Sequence, residues 1–170
     1  LKLPNKIVKI LQKRRIKISL AESCTGGLIA SLLTKEVGAS ICFEAGFVTY
    51  SNHMKTTLLD VSNKLLDQHG AVSEEVVLAM AQGALKKSSA DFVIAVSGIA
   101  GPAGGSIEKP VGSVWIAWGH KNNLKTVALL MPLPRSYFQE YVANICLDLV
   151  RRELISSTQT PNYIVERKLC

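Results

Sequence analysis

Aromatic side chains make up only 6% of the 170 residues, and long uncharged runs are missing. The longest, residues 92–107, is broken by Gly98, Gly101, Pro102, Gly104 and Gly105, so nothing here is expected to span a bilayer as a helix. Cysteine is limited to Cys24, Cys42, Cys146 and Cys170, with no CxxC pair and no His-x-x-His partner. With no signal peptide before them, these thiols are expected to be reduced and the chain cytoplasmic. No Walker A loop, GxGxxG or GxSxG occurs in literal form, which removes the commonest nucleotide-binding and hydrolase signatures.

What is present is largely aliphatic. Hydrophobic residues are 48% and charged residues 19%, enough for one core at this length and too apolar for a disordered chain. We read 1–170 as a single domain, with a core over about 4–157 and a tail at 158–170. Leu1 in place of Met is expected where numbering starts inside a longer product. Lys+Arg 20 against Asp+Glu 13 give a net charge of +7, much of it in Lys6, Lys9, Lys13 and Lys17. Their helical spacing reads as a solvated helix face, with a nucleic-acid patch as the weaker alternative.

Apolar positions Ile7, Val8, Ile10 and Leu11 predict a helix over 4–15, followed by a strand over 16–21. The polar run 22–27 then leads into a second helix over 28–35, for which Thr25 is the expected N-cap. A strand over 41–50 follows, and Ser51 and Ser62 are expected to cap two short helices. Ser73-Glu74-Glu75 opens a long helix to about residue 87, because a hydroxyl cap and first-turn carboxylates answer the free amides and the dipole. Residues 91–97 form an apolar strand, 98–105 a glycine-rich loop, and 111–119 with 124–131 a strand pair. The last helix is expected over 136–156. Apolar strands alternating with helices imply a single three-layer α/β/α domain with a mostly parallel or mixed central sheet.

Ligand sites in such sheets lie beyond the carboxyl ends of the strands, and the segments 22–27, 49–55 and 97–105 all follow expected strands. Ser23 therefore stands where a nucleophile is exposed, beside a helix start suited to an anion or oxyanion. A serine and a threonine before Gly-Gly are equally good loop and capping residues. His53, His69 and His120 have no carboxylate at telling spacing and read as surface residues. Lys55 follows the second strand; a lysine with a lowered pKa serves as base to a serine, although a lone lysine there is ordinarily solvated.

Ala21-Glu22-Ser23-Cys24-Thr25-Gly26-Gly27, Phe47-Val48-Thr49-Tyr50-Ser51-Asn52, His69-Gly70-Ala71-Val72-Ser73-Glu74, Ser97-Gly98-Ile99-Ala100-Gly101-Pro102 and Glu108-Lys109-Pro110-Val111-Gly112-Ser113-Val114-Trp115 resemble, in order, the CinA C-terminal domain family. The resemblance implies a cytoplasmic nicotinamide mononucleotide deamidase of pyridine nucleotide salvage, without metal or cofactor, releasing nicotinate mononucleotide and ammonia. It assigns the nucleophile to Ser23 and the base to Lys55. Thr25, Gly26, Tyr50, Ser97, Gly98 and Arg135 become substrate-binding residues, with amides near 25–27 or Gly98 holding the oxyanion. The sequence departs from the family at Leu133-Pro134-Arg135, where Gly-Asp is absent, at Gln139, which replaces a second basic residue, and at His53-Met54 before the lysine. A homo-oligomer is implied, direct nucleic-acid binding is not expected, and the rival readings are a catalytically weak nucleotide-binding or competence-associated partner module and a Cys24 thiol hydrolase.

Overall fold

Five consecutive buried residues, Ile18–Glu22, form β1, and a strand without apolar alternation needs cover on both faces. The computed structural model, which describes residues 2–169, provides that cover. β1 lies between β2 (Phe43–Val48) and β3 (Phe92–Gly98), parallel to both. β4 (Ser113–His120) and β5 (Asn123–Leu130) continue the sheet antiparallel, giving the order β2-β1-β3-β4-β5. The sheet is thus mixed, within the expected α/β class.

One face carries α1 (Leu3–Arg14), α2 (Leu28–Thr34) and α6 (Arg135–Leu154), which bury Ile18, Leu20, Ile94, Val96 and Ile116. The other carries α5 (Glu74–Lys87), with α3 (Asn52–Leu59) and α4 (Asn63–His69) packed on it, over Ala21, Val93, Ala95 and Ala117. The step from β1 to β2 runs over the first face and the step from β2 to β3 over the second. The chain therefore reverses its winding between β1 and β3, where a crevice opens at the strand ends.

Three expected caps are in place: Ser51, Ser62 and Ser73 accept from the amides of Met54, Leu65 and Val76. Thr25 is not a cap. The N-cap of α2 is Gly27, at φ +95 and with no side chain to offer. Lys6, Lys9 and Lys13 are exposed on α1, but Lys17 lies beyond that helix and pairs with Glu44 at 2.6 Å. The stretch read as a tail contains a short helix, α7 (Asn162–Arg167), with Tyr163 donating to Asp148 and the Leu169 amide donating to Ala128 O on β5. Among the described residues no helix is long and apolar enough to cross a membrane.

Candidate active site

β1 delivers its chain into a turn whose first residue is Ser23, itself only 7% exposed. The Ser23 amide donates to Val96 O on β3, and Ser23 O accepts from the Gly26 amide, which closes the turn. Beneath it, Glu22 accepts from Thr25 Oγ1 at 2.6 Å and from the amides of Gly27, Ile29 and Ala30. The free amides at the start of α2 are therefore already occupied. This corrects the expectation that the amides of Gly26 and Gly27 are available to an oxyanion, because both have partners within the chain.

Lys55 reaches Ser23 because Ser51 starts α3 directly after Tyr50, and the fourth residue of that helix faces inward. Its side chain is 1% exposed; Nζ lies 3.0 Å from Ser23 Oγ and donates to Thr49 O at 3.0 Å. Burial lowers the Lys55 pKa from its ordinary value and outweighs the opposing influence of Cys24. The backbone of α5 lets α3 come this close at Gly83, where an added Cβ would lie 2.0 Å from Leu59 O.

The cleft in front of this pair has a volume of about 250 Å³ and is walled by Tyr50, Asn52, Ala71, Val72, residues 97–101 and Arg135. Ser97 and Gly98 end β3 there, as expected, but the Ser97 hydroxyl donates to Ala71 O and fixes the loop before α5. Gly98 has no room for a side chain, since a Cβ would lie 2.9 Å from Ser113 O and 3.1 Å from Cys24 Sγ. Arg135, the first residue of α6, donates through Nε to Gly101 O and through a terminal nitrogen to Tyr50 OH. Lys55 and Arg135 are the basic residues of the wall among the described residues, and no carboxylate lines it.

Thr25 and Gly26 are not brought into the cleft. Thr25 is buried with its hydroxyl on Glu22, and Gly26 sits on the outer side of the turn. Cys24 does line the cleft, but burial pushes its thiol up to about 12, which favours the unreactive protonated form. His53 and His120 are exposed and His69 pairs with Glu75, so none approaches Ser23. Two contributors escaped sequence reasoning. Glu22 is the one charged residue of β1, a signal that went unused; Gln139, visible only as a departure from a basic residue, donates to Cys24 O at 2.9 Å. Among the described residues no group of three or more His, Cys, Asp or Glu is arranged to hold a metal ion.

The profile of the family described as CinA C-terminal domain matches residues 1–154. A CinA-like protein of Colwellia psychrerythraea is 62% identical over 157 residues, covering 92% of this chain but only 36% of that protein. Nicotinamide-nucleotide amidohydrolase PncC of Escherichia coli is 51% identical over 118 residues, 69% of this chain and 72% of that enzyme. The crystal structure of competence/damage inducible protein CihA from Agrobacterium tumefaciens superposes with a TM-score of 0.85 at 40% identity, covering 92% of this chain and 94% of that one. With the family profile matching residues 1–154 and relatives of this similarity, the chain belongs to the CinA C-terminal domain family.

Proposed function

We propose that this chain is a nicotinamide-nucleotide amidohydrolase, converting nicotinamide mononucleotide and water to nicotinate mononucleotide and ammonia with Ser23 as nucleophile and Lys55 as base. The observation that carries the reading is the buried pair itself, Nζ and Oγ at 3.0 Å in a cleft without a carboxylate. An ammonium there has a carbonyl and a hydroxyl for partners and no counter-charge, so burial favours the neutral amine that a base requires. Similarity to PncC over 69% of the chain supports the amide of a pyridine nucleotide as the bond attacked.

In this mechanism Lys55 takes the proton of Ser23 as Oγ bonds to the carboxamide carbon. The tetrahedral intermediate collapses to an acyl-enzyme, Lys55 passes the proton to the departing nitrogen, and ammonia leaves. Water, deprotonated by the same amine, then releases the acid. Glu22 occupies the α2 amides, so the oxyanion is assigned to the amide of Gly98. Neighbouring residues of an antiparallel strand turn their amides to opposite sides; Ile99 donates to Ser113 O on the β4 side, so Gly98 faces the end of β1. Arg135, oriented by Gly101 and Tyr50, takes the phosphate.

The test is ammonia release from the mononucleotide, with free nicotinamide as comparison. Ser23→Ala and Lys55→Ala are each expected to lower kcat by about 10³-fold or more while the nucleotide still binds. Substantial turnover in Ser23→Ala would remove the nucleophile assignment. A wild-type protein that binds the nucleotide without releasing ammonia would make this a binding module.

A further inference from the structure

Glu22 closes β1 and is 1% exposed. Strand alternation sends Ile18, Leu20 and Glu22 to the face of α1, α2 and α6, while Ser23 turns to the opposite face, toward Lys55. The carboxylate therefore lies behind the turn and does not line the cleft. Its two oxygens accept four hydrogen bonds: Thr25 Oγ1 at 2.6 Å, the amides of Gly27 and Ile29 at 3.1 Å each, and that of Ala30 at 2.8 Å. The first donor belongs to the turn and the others to the start of α2. Only a carboxylate offers two accepting oxygens and no donor at this size.

We propose that Glu22 is a positioning residue for Ser23: it draws Thr25 and the first amides of α2 together beneath the turn, and so holds the Ser23 hydroxyl within reach of Lys55. The inference rests on the reading of Ser23 as nucleophile and deepens it. Glu22 acts through the loop and touches no reacting atom. Gln139 grips the same turn from α6, on the Cys24 carbonyl, so the nucleophile is held from two sides. In Glu22→Gln the volume is kept, but an NH₂ group now confronts an N–H or hydroxyl donor, and the turn must rearrange to avoid it.

A readout independent of turnover separates positioning from mere stabilisation. A small sulfonyl fluoride labels an activated serine: the Oγ–sulfur bond forms, fluoride leaves, and the serine proton passes to Lys55. Labelling of Ser23 is followed by peptide mass spectrometry at a temperature where both proteins are folded. Glu22→Gln is expected to slow it by about 10- to 100-fold, the cost of misplacing a reacting group by about an ångström, and to lower kcat alike with KM little changed. Glu22→Asp, which keeps two accepting oxygens on a shorter arm, is expected to recover part of the rate. Equal labelling of Glu22→Gln and wild type overturns the inference. Wild type left unlabelled at Ser23 overturns the nucleophile reading, and the inference with it. If Glu22→Gln does not fold, Thr25→Val removes one donor from the same carboxylate: slower labelling upholds the inference and unchanged labelling overturns it.

Discussion

Lys55 carries its amine to a place where a carbonyl and a hydroxyl receive it and no carboxylate lines the wall, and this is costly to the fold whenever the amine is charged. Its folded pKa lies below 10.5, so between that lowered value and 10.5 the unfolded chain binds a proton that the folded chain does not. Stability from this group is therefore fully present above the unfolded value and is lost as the pH falls toward the folded one. The slope approaches about 1.4 kcal/mol per pH unit within the window. Denaturant unfolding of wild type and Lys55→Met at about pH 8 and about pH 10 is expected to show wild type gaining on the variant as the pH rises. A pH-independent difference would return Lys55 to an ordinary lysine. On the same grounds kcat/KM for the proposed reaction rises with pH through the lowered pKa, as the neutral base is populated. The low pKa and the buried hydroxyl are two aspects of one residue pair, separated by 32 positions in the chain. No local pattern connects them: their places after two strands made both residues eligible, and the family resemblance is what joined them as a pair.

Helix α3 is what places that amine, and its seat depends on α5. Glycine inside a helix costs about 1 kcal/mol relative to alanine, so propensity alone predicts that Gly83→Ala stabilises the protein. Contact geometry predicts the reverse, because the new Cβ would overlap Leu59 O at 2.0 Å and α3 would have to move away. We expect Gly83→Ala to lower stability by about 1–3 kcal/mol and to reduce ammonia release, measured by thermal unfolding and by turnover. A higher Tm would show that the helices separate at no cost. The serine caps of α3, α4 and α5 were legible because each depends on a hydroxyl three residues before the amide it accepts from. Thr25 was misassigned for the same reason. Its hydroxyl looked available locally, whereas Glu22, brought beneath the loop by the direction of β1, already held it.

Sheet order decides what the whole molecule can do. It brings the ends of β1 and β3 together where the winding reverses, and α6 returns from the far side to place Arg135 against Gly101 and Tyr50 and Gln139 on the Cys24 carbonyl. The opposite edge, β5, is partly covered by the chain itself: Lys168 bridges to Leu129, and Tyr163 fastens α7 to Asp148. Removal of residues 158–170 is expected to lower stability by about 1–3 kcal/mol, through the lost hydrogen bonds and apolar contacts and the uncovered edge. Ammonia release at low temperature is expected to persist, since α7 contributes nothing to the cleft wall. An unchanged Tm after truncation would mean that α7 adds nothing to the fold.

The amino-acid order by itself determined most of the elements, though not α7, together with the three serine caps, the apolar strands and hence the α/β class. Each of these depends on backbone geometry and on neighbours within a turn or a strand. It also determined which segments follow strands, and so which residues were eligible for a site. Tertiary structure alone decided which of them face the cleft. Thr25 and Glu22 went beneath the turn and Ser97 to Ala71 O, while Gln139 was recruited from 115 residues away. The state of Lys55 was decided there too, because a pKa is lowered by burial, and burial exists only once α3, α5 and β1 have packed together.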